Sequence, residues 1–192
     1  RNNASAPKRF ETLLVLSKRA TYVSFSNTTV LNSWTTERLM RFLELKIPPP
    51  AVALITAALM WLIARIAPGF AFMVSARNLL ATGVAAAGLI TAIAGVVTFA
   101  RAKTTVNPTR PQSTSSLVMW GIYSVTRNPM YVGMLLALTA WAIFLSNAAA
   151  FLLLPAFILY INRFQIEPEE RVLASLFGPE FAEYESRVRR WL

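Results

Sequence analysis

The segment Gly121-Ile-Tyr-Ser-Val-Thr-Arg-Asn-Pro-Met-Tyr131 lies between a polar loop and the longest apolar region of the chain. Proline suits the first turn of a helix, where its missing N–H leaves no bond unmade. A helix is therefore predicted to begin near Pro129, with Asn128 placed to cap its free N–H groups. Arg127, Asn128 and Tyr131 are predicted to lie at the membrane surface. The alternative for these residues is an ordinary helix start with a snorkelling arginine and an interfacial tyrosine.

The composition indicates a membrane protein and restricts its chemistry. Of 192 residues, 55% are hydrophobic and only 15% are charged, whereas water-soluble domains carry about a quarter charged residues. Cysteine, histidine and aspartate are absent, so all nine acidic residues are glutamates. This excludes disulfides, Cys/His zinc sites, a thiol nucleophile and an imidazole base. Catalysis would depend on Glu, Arg, Lys, Tyr, Asn, backbone groups or a cofactor.

Four apolar segments follow one another along the chain, at about 50–66, 79–100, 129–145 and 148–161. Each is predicted to be a transmembrane helix, since about 20 apolar residues cross roughly 30 Å of hydrocarbon. Ser146-Asn147 is the polar break between the last two segments, which together are too long for one straight span. A tight hairpin of the third and fourth helices is therefore predicted. The fold class is all-α, a polytopic membrane protein with cytoplasmic C-terminal amphipathic helices.

The charge distribution predicts the orientation. Of the 19 Lys and Arg residues, 17 lie before residue 50, in the 101–129 loop or after residue 161. With four spans these regions share one side of the membrane, which the positive-inside rule makes cytoplasmic, together with both termini. A nucleic-acid partner is not expected, because the charge is spread along a membrane face, where it would meet anionic lipid. Residues 1–39 are predicted to be a polar extension, and 40–192 the membrane domain.

The tail at 162–192 is predicted to be helical and amphipathic. If the fourth helix continues into it, Tyr160, Arg163 and Glu167 lie along one helical face. Pro168 is predicted to begin a further helix, and Gly178-Pro179 to end that helix and begin the last one. An amphipathic helix pair lying in the headgroup layer is the alternative. That alternative does not explain why Arg163 and Glu167 lie at the membrane boundary.

The two motifs resemble those of the isoprenylcysteine carboxyl methyltransferases, which belong with the phospholipid methyltransferases. The first is G-I-Y-x-x-x-R-N-P-M-Y at 121–131, and the second is R-x-x-x-E-x-E-E-R-x-L-x-x-x-F-G-x-E-F-x-x-Y at 163–184. The resemblance covers about 40–192 and is closest to bacterial members, which implies a bacterial inner-membrane location. The family usually has His after the arginine, where this chain has Asn128, and commonly has Tyr where this chain has Phe181.

The resemblance implies an S-adenosylmethionine-dependent methyltransferase whose site lies at the cytoplasmic face, with no metal. The acceptor would be lipophilic (an isoprenylcysteine-type carboxylate, a thiol or an amine) and would enter from the bilayer. Glu170 or Glu169 would hold the ribose, and Arg127 or Arg163 a carboxylate of the cofactor or a substrate anion. The residues assigned to catalysis are Arg163, Arg127 and Asn128, and those assigned to the cofactor are Tyr123, Arg127, Asn128, Tyr131, Glu169, Glu170 and Tyr184.

Two other functions remain open at this point. Membrane reductases of the sterol reductase type have a related C-terminal arrangement and use NADPH in place of the methyl donor. A non-enzymatic membrane scaffold or lipid-binding protein would need neither cofactor. Binding of S-adenosylmethionine or of NADPH distinguishes the three, and the scaffold predicts that Arg163, Glu167 and Glu170 can be replaced without functional loss.

Overall fold

A computed structural model describes residues 44–102 and 116–192. The predicted polar extension at 1–39 and the start of the membrane domain at residue 40 lie outside these ranges. Within them the chain is helical, and its one extended pairing is an isolated bridge between Ala71 and Asn147. The prediction of an all-α fold is confirmed. The helices are α1 (Pro49–Ile66), α2 (Arg77–Arg101), α3 (Pro129–Leu145), α4 (Ala148–Phe177) and α5 (Pro179–Arg187).

Three of these helices are long and apolar enough to cross a membrane: α1 with 18 residues, α2 with 25 and α4 with 30. Together with their composition, this makes the chain a membrane protein. The third predicted span, α3, is apolar but has only 17 residues. At 1.5 Å per residue it measures about 26 Å, slightly less than the hydrocarbon layer. That α3 also crosses the membrane, which would make four spans, and that it forms a hairpin with α4 stay predictions.

Helix α3 is central to the packing, because it contacts α1, α2 and α4. Its contact with α2 is very close at Gly88 and Gly133. A Cβ atom on Gly133 would lie 2.7 Å from the Gly88 carbonyl oxygen, and one on Gly88 would lie 2.8 Å from the Gly133 carbonyl oxygen. Gly88 of α2 therefore packs against another helix of the same chain. Gly83 of α2 does not, because a Cβ atom added there would have no neighbour within 4 Å. Small residues commonly allow such close approach in membranes.

The polar break between α3 and α4 is a structural joint. Asn147 is buried, its Oδ1 accepts from the Ala149 N–H, and its Nδ2 donates to the Ala67 carbonyl at 2.9 Å. The Phe72 N–H donates to the Ser146 carbonyl at 2.9 Å. These bonds attach the α1–α2 connection to the start of α4 and satisfy backbone groups that an apolar surrounding would leave unpaired.

Helix α4 continues past Ile161 through a π-helical turn at Asn162–Ile166. The α-helical part that follows this turn begins at Glu167 and has Pro168 in its first turn, as predicted, but no loop separates it from the rest of α4. Because proline has no N–H, the Phe164 carbonyl one turn earlier lacks its helical partner. The Leu45 N–H supplies that bond at 3.0 Å, and Gln165 Nε2 donates to the Ile47 carbonyl at 2.9 Å. Contacts from the segment before α1 thus stabilise the irregular turn.

Candidate active site

The 121–131 motif forms a short 3₁₀ turn, Gly121–Ser124, and then the first turn of α3, which begins at Pro129 as predicted. Gly121 has a φ of +64°, a conformation that favours glycine. The following turn buries Tyr123, whose ring packs edge-on against Phe99 with centroids 4.9 Å apart. The Tyr184 hydroxyl donates to the Tyr123 carbonyl at 2.7 Å. The motif is therefore bonded directly to α5.

Asn128 occupies the position before α3, but its side chain does not cap the helix. Its Nδ2 donates instead to the Arg190 carbonyl at 2.9 Å, so the predicted cap is wrong. The Arg127 N–H donates to the Arg189 carbonyl at 3.0 Å, and the Thr126 hydroxyl donates to the Arg190 carbonyl. Residues 126–128 thus bind the main chain of residues 188–192, which we call the closing segment.

Arg127 is the centre of a charged cluster and its side chain is only 9% exposed. Its Nη1 lies 2.6 Å from Glu185 Oε1, and its Nη2 lies 3.2 Å from Glu170 Oε1. Glu170 also accepts a two-point contact from Arg190, with Nε 3.2 Å from Oε1 and Nη2 2.5 Å from Oε2. The hydrogen bonds to Glu170 raise the pKa of Arg190 above its usual range, so Arg190 is charged at neutral pH.

Glu169 points to a different partner from its neighbour Glu170. The Tyr131 hydroxyl donates to Glu169 Oε1 at 2.6 Å, joining α3 to α4. Two further tyrosines are close in this region: burial raises the pKa of Tyr184 to about 12 and raises the pKa of Tyr123 as well. These phenols are therefore neutral hydrogen-bond donors at physiological pH. The predicted cofactor residues on the motif, on α4 and on α5 are thus brought together.

Arg163 belongs to a second cluster. Its Nη1 lies 3.1 Å from Glu167 Oε2 and 3.3 Å from Glu44 Oε1, and Arg171 Nη2 lies 2.5 Å from Glu44 Oε2. The predicted placement of Arg163 and Glu167 along one helical face is confirmed, and the structure adds an ion pair between them. No ion pair among residues 44–102 and 116–192 links Arg163 to the Arg127 cluster.

An open cleft of about 320 Å³ lies between the last turns of α4 and helix α5. Its lining includes carboxylates of both clusters and one aromatic side chain, so it suits a ligand with hydroxyl groups and a positive charge. In the described part of the chain, no group of three or more acidic side chains is placed to hold a metal ion. The lining residues are Glu167, Glu170, Arg171, Ala174, Phe181 and Glu185.

Two atoms of the predicted site residues are buried without a hydrogen-bond partner in the described structure. They are the Tyr123 hydroxyl and Arg127 Nε. A buried donor without a partner costs about 1–3 kcal/mol, and such atoms in a native protein require an explanation.

Comparison with known proteins identifies the family. The family model for phospholipid methyltransferase matches residues 76–180, more than half of the chain. The chain belongs to the phospholipid methyltransferase family. This family membership implies methyltransferase activity and agrees with the resemblance carried by the two motifs.

One relative is similar to a third of the chain. An uncharacterised protein of Haemophilus influenzae is 51% identical over 63 residues, which are 33% of this chain and 100% of that protein. No solved structure matches the chain. The matched region 76–180 contains the 121–131 motif and both Glu169 and Glu170, but it ends before Tyr184 and the closing segment.

Sequence reasoning missed three charged residues of the two clusters. Glu185 and Arg190 complete the Arg127 cluster, and Glu44 joins Arg163 to Arg171. Glu185 lies one helical turn after Phe181, a spacing that could have indicated it. Glu44 is 119 residues away from Arg163, and no local pattern connects them.

Proposed function

We propose that this chain is an S-adenosylmethionine-dependent methyltransferase that modifies a lipophilic acceptor at the cytoplasmic face of a bacterial inner membrane. The supporting observation is the acidic cleft, because two of its lining carboxylates, Glu170 and Glu185, are the ion-pair partners of Arg127. Arg127 Nε and the Tyr123 hydroxyl are buried donors without a hydrogen-bond partner in the described structure, and a ligand with acceptor atoms would satisfy whichever of them it reaches. The motif resemblance supports S-adenosylmethionine as that ligand, because members of the family generally use it.

The residues present fit this cofactor. Glu170 lines the cleft and could accept the ribose hydroxyls, and the Arg127 guanidinium could bind the carboxylate. The ring of Phe181 lies beside Glu185, where an aromatic face and a carboxylate would favour a positive charge. When bound, the cofactor supplies an activated methyl group on a cationic sulfur. The protein then needs to align the reactants and exclude water more than to supply a strong acid or base.

Each remaining predicted residue has a role in this proposal. Tyr131 and Glu169 hold α3 against α4 at the base of the site, and Tyr184 fixes the 3₁₀ turn through the Tyr123 carbonyl. Asn128 is assigned to holding the closing segment, since its amide bonds Arg190. Arg163 would bind an anionic group of the acceptor, since its side chain on α4 is 35% exposed and carries a positive charge.

The acceptor is proposed to arrive from the bilayer. Both α1 and α2 expose large apolar side chains, such as Leu54, Ile66, Leu89 and Ile90, as lipid-facing helices do. In this proposal α3 also crosses the membrane, which makes four spans, and it forms a hairpin with α4, which puts the 17 cationic residues on the cytoplasmic side. A carboxylate, thiol or amine on a lipid anchor could then reach the cleft without leaving the membrane surface.

Isothermal titration of the detergent-purified protein with S-adenosylhomocysteine tests the cofactor. We expect micromolar-range binding, and at least a tenfold weaker affinity for Glu170→Gln, because one uncharged amide cannot replace a carboxylate that accepts two hydroxyls. Glu183→Gln is the matched control, since Glu183 is 68% exposed on α5 and pairs only with Arg187 in the described structure.

NADPH is titrated in parallel. Binding of NADPH without S-adenosylhomocysteine would support a reductase instead. Binding of neither, by a protein that is folded in thermal unfolding assays, would remove the enzymatic proposal and leave the scaffold.

A further inference from the structure

The carboxylate proposed to hold the ribose is already occupied. A carboxylate offers about two acceptor positions on each oxygen. On Glu170 Oε1 both are used, by Arg190 Nε at 3.2 Å and by the contact with Arg127 Nη2 at 3.2 Å. Oε2 accepts from Arg190 Nη2 at 2.5 Å. A diol that bonds both oxygens therefore cannot bind while both arginines stay in place.

The two arginines differ in how easily they can leave. Arg127 is 9% exposed, has a second carboxylate partner in Glu185 and lies beside the first turn of α3. The Arg190 side chain is 32% exposed, and Glu170 is its one ion-pair partner in the described structure. Releasing a partly exposed arginine to water costs little, whereas leaving a buried one unpaired costs several kcal/mol. Arg190 is therefore the group that can move.

We propose that Arg190 is a latch on the cofactor site: its guanidinium closes Glu170 in the free protein and is replaced by the ribose hydroxyls when the cofactor binds. This inference rests on the proposed function. The main chain of the closing segment stays in place, because the Arg127 N–H and the Asn128 amide hold the carbonyls of Arg189 and Arg190. The movement is confined to the Arg190 side chain. In the free protein this side chain covers the Glu170 carboxylate.

Binding of S-adenosylhomocysteine to Arg190→Gln, measured by titration calorimetry, tests the latch. Removing the competitor is expected to lower Kd about tenfold, since a binding-competent form that is about a tenth populated weakens apparent affinity by that factor. Arg187→Gln is the matched control: it removes the same charge from an arginine that is 64% exposed and pairs with Glu183 at 3.4 Å. Its Kd is expected to equal that of the unmodified protein.

Two further measurements sharpen the test. Arg190→Lys keeps the charge but loses the two-point contact, so its Kd is expected to lie between those of the unmodified protein and Arg190→Gln. Salt screens partly exposed ion pairs. The affinity advantage of Arg190→Gln over the unmodified protein is therefore expected to shrink as ionic strength rises.

The failures are distinguishable. If the unmodified protein binds S-adenosylhomocysteine and Arg190→Gln binds it equally or more weakly, the latch is wrong; weaker binding would mean that Arg190 supports Glu170 in the bound state. If Arg190→Gln is unfolded, Arg190→Lys decides by the same comparison. If neither the unmodified protein nor the folded variants bind, the proposed function fails and the latch with it.

Discussion

The α2–α3 contact and the Arg127 cluster hold helices together by different means. At Gly88 and Gly133 two backbones touch, and nothing larger than hydrogen fits between them. Around Glu170, long side chains from the 121–131 motif, α4, α5 and the closing segment meet through ion pairs. The first contact has a single geometry, because helices cannot yield at a backbone contact. The second can exchange partners, which suits a site that binds a ligand.

The largest effect is expected for Gly133→Leu. Its Cβ would lie 2.7 Å from the Gly88 carbonyl and 2.8 Å from the Ala92 Cβ, so α2 and α3 must separate. We expect a loss of more than about 3 kcal/mol of stability, beyond the usual cost of overpacking because backbone has to move. Thermal unfolding in detergent, followed by tryptophan fluorescence, measures it.

Gly83→Leu is the control for the glycine contact. A Cβ at Gly83 meets no atom within 4 Å, and the change improves helix propensity. We expect unchanged or slightly raised stability. Equal losses for the two variants would show that the glycine contact is not what distinguishes this part of the molecule.

A smaller effect is expected for Arg127→Gln. The change leaves Glu185 and Glu170 without this guanidinium, but Arg190 still neutralises Glu170. We expect a loss of about 2 kcal/mol in the same unfolding assay, below the 3–5 kcal/mol typical of a fully buried pair. The exposed Arg187→Gln is expected to change stability by less than about 0.5 kcal/mol. A loss as large as that of Gly133→Leu would mean that the charged cluster is as rigid as the glycine contact.

The smallest effect is expected for Tyr184→Phe, which removes the hydroxyl bonded to the Tyr123 carbonyl. Near pH 8 we expect a loss of about 1 kcal/mol. The pKa of Tyr184 is raised to about 12, so the neutral phenol stabilises the fold. Its contribution is complete below the ordinary value of about 10 and is lost as the pH rises through 12.

The stability difference between Tyr184→Phe and the unmodified protein is therefore expected to narrow from about pH 10 to about pH 12. Urea unfolding of both proteins across this range measures it. A difference that stays constant with pH would show that the Tyr184 hydroxyl does not titrate in this way.

Much of the fold was predictable because it depends on local patterns. Apolar runs bounded by proline, glycine and charge indicated the helix positions, and Pro129 begins α3 because its ring favours a first turn. The continuation through the π turn was harder to predict. A proline near a membrane boundary usually indicates a helix start, and here Leu45 supplies the bond that Pro168 leaves open.

The candidate site was predictable only in part. The motifs indicated Tyr131, Arg127, Glu169 and Glu170, which the fold brings together through α3 and α4. Asn128 was expected to cap a helix, but the Arg190 carbonyl competes for its amide. Arg190 and Glu185 follow the motifs in the chain, and their roles depend on where the closing segment crosses the 121–131 motif. Such tertiary contacts leave no periodicity in the sequence.

The bonds from residues 44–47 to α4 have a consequence for biosynthesis. Glu44 and Ile47 are synthesised about 120 residues before their partners Arg163 and Gln165, which are 119 and 118 positions further along. While the ribosome makes the first three helices, these two bonds cannot form. The contacts that stabilise the irregular turn of α4 are therefore made late, only after residues 163–165 have been synthesised.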